Sequence, residues 1–490
     1  MTKVAVIGAG FGGISAAIHL ARKGYEVAVF EKQQQPGGKA GQVEMDGYRF
    51  DTGPTLMTMP FVLEDLLSDG QMPQMTALDP ITSYFFPDQK RLDTYAERDK
   101  VMAQLAPQAA AEYSRFLDYA RTIYDTSKDV FLFTPLHEAS EMVRFKNFVL
   151  LMQILKIDPL RSMQAAIEKR ISDPYLRQIF SRFATYNGSN PYIAPATLNI
   201  IAWVELGIGG FYIKGGMHSL VQTLVAHAEK LGVTFHFAQN IDRILTTNQQ
   251  ISGIRIGSDK LNFDHVVCNA DALYAYEELL PEAGLTQKSR HADASLSGMV
   301  FLWGVNKTHD QLNHHNIFFS RNYKQEFSDL FKTRVAPADP TVYISIASKS
   351  DSDMAPAQSE NWFVMVNMPP LQKQQTISEN QIAAIRSAVI ETISRQGINI
   401  SQNIETEKIL TPMYLKNTLN SYNGSIYGLS SNSRRSAFNR IPNRSKQIRG
   451  LYFAGGSSHP GGGVPLAILS GKMAAKLLHK NNKSILRRTA

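Results

Sequence analysis

The sequence predicts an α/β protein with two sheet-bearing regions and a helical region set between their segments. Three observations carry this. A strand, a glycine turn, a helix and a second strand open the chain between Val4 and Glu31. β-rich stretches recur from about Pro80 to Glu97 and from Met299 to Met368. Between residues 101 and 209 the pattern turns helical and amphipathic, with Pro135, Pro159, Pro174, Pro191 and Pro195 as breaks.

The opening unit is the most informative. Val4 to Ile7 is a short apolar run rich in β-branched residues, the pattern of a buried parallel strand. Gly8, Gly10 and Gly13 then form G-x-G-x-x-G, with Phe11 and Gly12 between the last two. The first glycine allows the tight turn, the second lets backbone approach a pyrophosphate, and the third lets helix and strand pack closely. Ile14 to Ala21 continues as a helix whose N-terminal N–H groups suit phosphate, and Gly24 ends it. Glu26 to Glu31 is the second strand, and Glu31 closes it where an acid can bind ribose hydroxyls, with Lys32 next to it. The unit is a Rossmann-type dinucleotide site.

In Pro36-Gly37-Gly38-Lys39-Ala40 a glycine pair again permits close backbone approach, and Lys39 is placed to meet a phosphate as a point charge. Gly47 to Thr55 reads as a strand running into the rigid turn Asp51-Thr52-Gly53-Pro54-Thr55. Ile208 to Gly216 is a glycine-rich junction before a helix from Met217 to Leu231. Short strands are expected at Val233–Phe237, Ile241–Leu245, Ile251–Ile256 and near Val266. Later strands are expected at Val300–Val305, Thr341–Ala347 and Trp362–Asn367, with a helix over Glu379–Gln396. Gly450 to Gly456 is a strand entering a glycine loop, and Pro465 to Leu478 is the closing helix.

Composition excludes several classes. With 490 residues, 43% hydrophobic and 19% charged, the chain is globular and too long for one ordinary core. A single cysteine, Cys268, rules out a disulfide framework within the chain and fits a reducing compartment; its apolar surroundings point to packing. No run of ~18 apolar residues suggests a spanning helix. The net charge of +8 suits an anionic membrane, and no nucleic-acid motif accompanies it, so nucleic acid is not expected as a partner. The segment 140–183 holds eight bases and four acids around the apolar stretch Phe148–Leu155, a pattern that suits either a helix lying on a membrane or a buried helix. Ser431 to Arg449 carries six bases and no acid, the pattern of a solvated loop.

Four stretches together resemble the flavin-dependent amine oxidase and phytoene desaturase superfamily. They are the N-terminal fingerprint, Gly37-Gly38 with Asp51 to Thr55, Tyr212-Ile-Lys-Gly-Gly-Met217, and the C-terminal loop Gly455-Gly-Ser-Ser-His459-Pro-Gly-Gly-Gly463-Val-Pro465. Within it, the chain looks like the bacterial carotenoid desaturases, and the C-terminal loop is most similar to the 1-hydroxycarotenoid 3,4-desaturase branch. The resemblance implies bound FAD. Gly8, Gly10, Phe11, Gly12, Gly13, Glu31 and Lys32 would take the ADP half, with Ile241, matched to a strand residue of the family, at the adenine. Gly38, Lys39 and Ala40 would lie along the pyrophosphate and ribityl chain, Gly455, Gly456, Val464 and Pro465 would line the flavin, and Gly53, Pro54 and Thr55 would also contact the cofactor. Many related flavoproteins carry Gly-Asp at the C-terminal site; Gly455-Gly456 lacks the acid, as carotenoid desaturases often do.

The implied domains are a discontinuous FAD-binding domain over 1–80, 210–295 and 445–490, a mixed-sheet substrate domain over 81–100 and 296–444, and a helical membrane-associating region over 101–209. The implied activity is FAD-dependent desaturation of an acyclic or monocyclic carotenoid. Stepwise phytoene or diapophytoene desaturation, carotenoid isomerisation and amine oxidation are the enzymatic alternatives. A prenyl carrier like the GDP-dissociation inhibitors is the non-enzymatic one, and the intact glycine and Glu31 set argues against it. Quinone or oxygen is the family's electron acceptor, and the implied location is the inner face of the cytoplasmic membrane.

Hydride chemistry is the cofactor's, so no triad or metal constellation is expected and no catalytic residue is assigned. His314-His315 is expected as a solvated loop pair rather than a metal site. His459 is expected either to assist proton release or to stabilise its loop. Trp203, Phe211 and Tyr212 are expected as core.

Overall fold

A computed structural model describes residues 1–135, 137–138, 154–284, 293–372, 375–433 and 440–489. The stretch Phe148–Leu155, singled out above for membrane contact, falls largely outside them, as do Arg434 and Arg435.

Val4 to Ile7 needs neighbours on both sides to bury a continuous apolar run, and it has them. Lys3–Ile7 is the central strand of a five-stranded parallel sheet ordered Leu451–Phe453, His265–Cys268, Lys3–Ile7, Glu26–Phe30, Thr234–His236. Strands distant in sequence thus lie side by side, with Val6 opposite Val29 and Val267. One face is covered by the opening helix Phe11–Ala21, the helix Met217–Lys230 and the closing helix Val464–Thr489. The opposite core joins the sheet to residues of a three-stranded antiparallel sheet running from Arg243 to Asn262. Cys268 is fully buried there, where burial pushes its thiol up to about 12, so it packs rather than reacts.

The second main sheet has seven strands in the order Ile404–Leu410, Ser297–Val305, Glu360–Met368, Val342–Ile346, His315–Phe318, Thr82–Phe85, Arg91–Thr94. It is mixed: His315–Phe318 runs parallel to Thr82–Phe85 and the other pairs are antiparallel. The helix Glu379–Ser394 packs on one face, capped by Ser378 and Gln381 in a reciprocal capping box. Helices between Arg98 and Leu206 pack against Tyr84, Phe86 and Phe319 at its other end.

Several expectations are adjusted. Ile241 lies in the segment before the strand Arg243–Thr247, not in the strand. The second strand ends at Phe30, leaving Glu31 just beyond it. The closing helix runs well past Leu478, to Thr489. His314 and His315 are not solvated: both are buried, and His315 opens a central strand. Two adjacent histidines look polar in sequence, but hydrogen bonds to Ser350 and Tyr343 let them enter the core. Trp203, Phe211 and Tyr212 pack into the cores, as expected.

Candidate active-site cleft

The glycine turn is shaped by what approaches it. Gly8 has φ +93°, a left-handed conformation that disfavours a side chain. A Cβ on Gly13 would stand 2.1 Å from the Gly8 carbonyl, so this glycine serves helix–strand packing. A Cβ on Gly12 would stand 2.5 Å from the backbone nitrogen of Gly455. The two glycine loops, at opposite ends of the sequence, therefore touch backbone to backbone. The closing helix makes a similar approach, since a Cβ on Gly471 would lie 2.2 Å from the Gly12 carbonyl.

Asn269 is the side chain between these loops. Its Nδ2 donates to the Gly8 carbonyl at 3.3 Å, and its amide group is the nearest neighbour for a Cβ on Gly10 or Gly455. Sequence reading passes over it because its partners are hundreds of positions away. The only available signal was its place at the end of the Val266–Cys268 strand, beside the opening strand.

Glu31 sits at the end of the same cleft. One carboxylate oxygen accepts from Ala9 N–H at 2.8 Å and the other from Gln33 N–H at 2.9 Å. These bonds fix the carboxylate at the cleft wall with lone pairs to spare. Lys32 reaches Asn420 at 2.7 Å.

One continuous cavity joins these groups. Gly8, Gly10, Phe11, Gly12, Glu31, Lys32 and Ile241 line one end. Gly38, Lys39, Ala40, Asn269 and Asp271 follow, then Gly53, Pro54, Thr55, Gly455, Gly456, Val464 and Pro465. Of the expected contact residues, Gly13 alone does not line it, because it faces Gly8. The Lys39 ammonium donates to the carbonyls of Ile426 and Ser425, at 2.5 and 3.4 Å, and lines the cavity with them. Burial lowers its pKa, against the pull of Asp271. Asp271 in turn has its carboxyl pushed up by burial, and its Oδ2 has no partner among the described residues. A buried acceptor on a cavity wall, glycines that leave room for backbone contact and an anchored acid at one end fit a dinucleotide.

Two motifs read separately in sequence prove to be one. Asp51 accepts from the N–H groups of Met217 and His218, at 2.8 and 3.1 Å, and so caps the helix that follows Lys214-Gly-Gly216. A Cβ on Gly216 would fall 2.6 Å from that carboxylate. Burial pushes the Asp51 carboxyl up to about 7, and the two N–H bonds pull the other way. The cap holds the Thr52–Thr55 turn against the cavity.

His459 does not line the cavity. It is buried, its Nε2 is 2.9 Å from the Thr134 carbonyl, and its own carbonyl accepts from Asn443 at 2.7 Å. Burial lowers its pKa to about 3. Of the two roles expected for it, this geometry is that of loop stabilisation. Among the described residues no group of three or more His, Cys, Asp or Glu is placed to hold a metal.

Beyond Thr55 the cavity enters the seven-stranded sheet, where Val300, Ile317, Phe363, Met365 and Leu410 make it apolar. Tyr343 stands at the junction, 2.5 Å from the Thr55 hydroxyl and 2.8 Å from Nδ1 of His315.

The family model for flavin containing amine oxidoreductase matches residues 11–479. A 1-hydroxycarotenoid 3,4-desaturase of Flavobacterium sp. (strain P99-3) is 36% identical, over 98% of this chain and 100% of that protein. A 4,4'-diaponeurosporene oxygenase of Staphylococcus aureus (strain MSSA476) is 33% identical, over 99% of this chain and 100% of that one. Among solved structures, an oxidoreductase from Methanosarcina mazei matches with TM-score 0.64 at 14% identity, covering 97% of this chain and 100% of that one. A putrescine oxidase bound to putrescine matches at 0.62 and 15%, covering 98% and 99%. The structural matches establish the amine oxidase fold, and the chain belongs to the flavin-containing amine oxidoreductase family as an FAD-dependent oxidoreductase.

Proposed function

We propose that this protein desaturates a carotenoid, introducing the 3,4 double bond of a 1-hydroxylated acyclic or monocyclic substrate. The observation that carries the reading is the cavity itself: a dinucleotide cleft that opens without a break into an apolar channel through the second sheet. The Flavobacterium relative is named for this reaction.

Gly8, Gly10, Gly12 and Glu31 would hold the ADP half of FAD, and Gly53 to Thr55 with Gly455, Gly456, Val464 and Pro465 the flavin half. When bound, FAD supplies the acceptor for a hydride from an allylic carbon. The chain's own residues do the rest. The sheet side chains exclude water and align the polyene. Tyr343 is the side chain placed to receive the proton that must leave the neighbouring carbon, with His315 Nδ1 behind it as a relay. Burial holds His315 well below its ordinary pKa, so it is neutral and has an acceptor nitrogen. A weak base suffices there, because a carbon beside a cation is a strong acid.

The residues 1–80, 210–295 and 445–490 would act as the FAD-binding domain, with the second sheet as substrate domain. Membrane contact through the helical region follows from the substrate. Moving a polyene into water costs ~0.8 kcal/mol per carbon, so it must enter from lipid. Leu160 and Ile193 are 60% and 53% exposed in segments joined by an isolated bridge between Ser162 and Pro195, which suits a lipid-facing surface. A quinone in that membrane, or oxygen, would reoxidise the flavin.

The test is expression in hosts that make either a 1-hydroxylated carotenoid or phytoene, with products read by absorption and mass. Loss of two hydrogens from the hydroxylated substrate, with phytoene untouched, is expected. Stepwise conversion of phytoene to lycopene would refute the substrate assignment and leave the flavin enzyme standing. Gain of oxygen would move the reaction to that named for the Staphylococcus relative.

A further inference from the structure

The channel is not apolar throughout. Where it meets the helical region, Arg182, Tyr186 and Tyr323 line its wall. Arg182 is 6% exposed, and its Nη2 donates to Glu205 at 3.0 Å and to the Tyr84 hydroxyl at 2.7 Å. Glu205 is wholly buried, and its other oxygen accepts from the Tyr186 hydroxyl. Among the described residues the ion pair is nearly complete, with one exception: the Nε–H of Arg182 has no acceptor among them. Tyr323 is half-buried on the same wall, and its hydroxyl makes no hydrogen bond among the described residues.

A buried ion pair beside a hydrocarbon channel is costly, and donors left unpaired there cost more. A ligand that is hydrocarbon to its very end would seal these donors without satisfying them. A ligand ending in a hydroxyl would satisfy them. We propose that Arg182 and Tyr323, backed by Glu205, form the site that receives the tertiary hydroxyl of the substrate. The proposal rests on the carotenoid desaturase reading and assigns the residues that select the hydroxylated end.

Its position agrees with the chemistry. In a 1-hydroxylated end group a single methylene separates the carbinol carbon from the bond to be desaturated. The hydroxyl must then be held close to the cofactor end of the channel, not at its far end. Thr55, on the turn assigned to the flavin, bonds Tyr343, and Tyr343 lies within the electrostatic reach of both Arg182 and Glu205. Tyr323 is likewise within reach of Arg182, and its ring stands edge-on to Phe319, which stacks on Tyr84. The polar site and the flavin turn thus share one corner of the cavity, and the unsubstituted end of phytoene, which presents only methyl groups, would leave it unfilled.

The test uses the full-length, flavin-loaded protein and two probes in detergent micelles: a 1-hydroxylated acyclic carotenoid and the same polyene without the hydroxyl. Binding is read by quenching of tryptophan fluorescence, and products in the same samples are read by mass. The native protein is expected to bind the hydroxylated probe at least ~10-fold more tightly. Tyr323→Phe removes only the hydroxyl and is expected to cut that ratio ~5-fold or more. Arg182→Met with Glu205→Gln removes both charges together, so neither is stranded, and should bring the ratio toward unity. Equal binding by the native protein overturns the proposal. So does an undiminished ratio in both variants at native flavin content. Discrimination without loss of two hydrogens would refute the desaturase reading and keep the hydroxyl site; loss of two hydrogens from both probes at equal affinity would do the reverse.

Discussion

Asp51 shows how one side chain can join two motifs. Its carboxylate caps a helix 166 positions away, at a site buried enough to push its pKa from 3.8 to about 7. The sign of the pH dependence follows. Because the folded pKa lies above the unfolded one, the stability associated with the neutral carboxyl is full below 3.8 and is lost as pH rises toward about 7. The shift corresponds to a loss on the order of a few kcal/mol. Asp51→Asn cannot titrate, so the melting temperature of the native protein minus that of the variant should fall between those pH values. A difference that stays flat or rises would contradict the burial argument. Residue roles were legible where backbone conformation demanded them, as at Gly8 and Gly10. They were not legible at Asn269, whose partners are set by folding, nor in the contacts of the Lys39 ammonium with carbonyls of a distant loop.

The opening and closing helices meet in a close junction beside the cleft. Gly471 admits the Gly12 carbonyl, and the Ser15 hydroxyl donates to the Ile468 carbonyl at 2.8 Å. The closing helix therefore packs directly on the glycine turn through residues well beyond Val464 and Pro465, the only part of it that the sequence assigned to the site. Gly471→Ala places a methyl against backbone that cannot move without shifting the glycine turn. Overpacking of this kind costs ~1–3 kcal/mol. The variant should melt lower and purify with less flavin absorbance. Full flavin occupancy at native stability would show that the two helices are free to separate. The same scale explains the histidine pair. His314 and His315 look solvated as letters, but His315 opens an interior strand with His314 just before it, and Ser350 and Tyr343 supply hydrogen bonds for their buried rings.

At the scale of the whole molecule, two sheets of different character meet at one cavity. The parallel sheet brings three strands from widely separated parts of the chain to the glycine turns. The mixed sheet supplies the apolar walls. No helix among the described residues is long and apolar enough to cross a membrane; the proposed membrane contact through the helical region is tested on its apolar residues. Replacing Phe148, Leu151 and Leu155 by Asp should release the protein from anionic liposomes in a flotation assay and lower activity on membrane-held substrate. Unchanged flotation would move the contact to another surface.

The sequence by itself determined the nucleotide-binding unit, the flavin and the family, and many of the strands, but not His315–Phe318 or Ile404–Leu410 of the second sheet. These depend on local signals: glycine conformations, apolar periodicity and motifs that each lie within a few residues. The tertiary structure alone decided that Asn269 ties the two glycine loops together, that Asp51 caps a remote helix, and that His459 turns away from the cavity. It also decided that Arg182 and Tyr323 line the channel, with Glu205 buried behind Arg182. The physical reason is the same in each case. A polar side chain's role depends on which partners remove it from water, and those partners are chosen by folding, across distances in sequence that no local pattern spans.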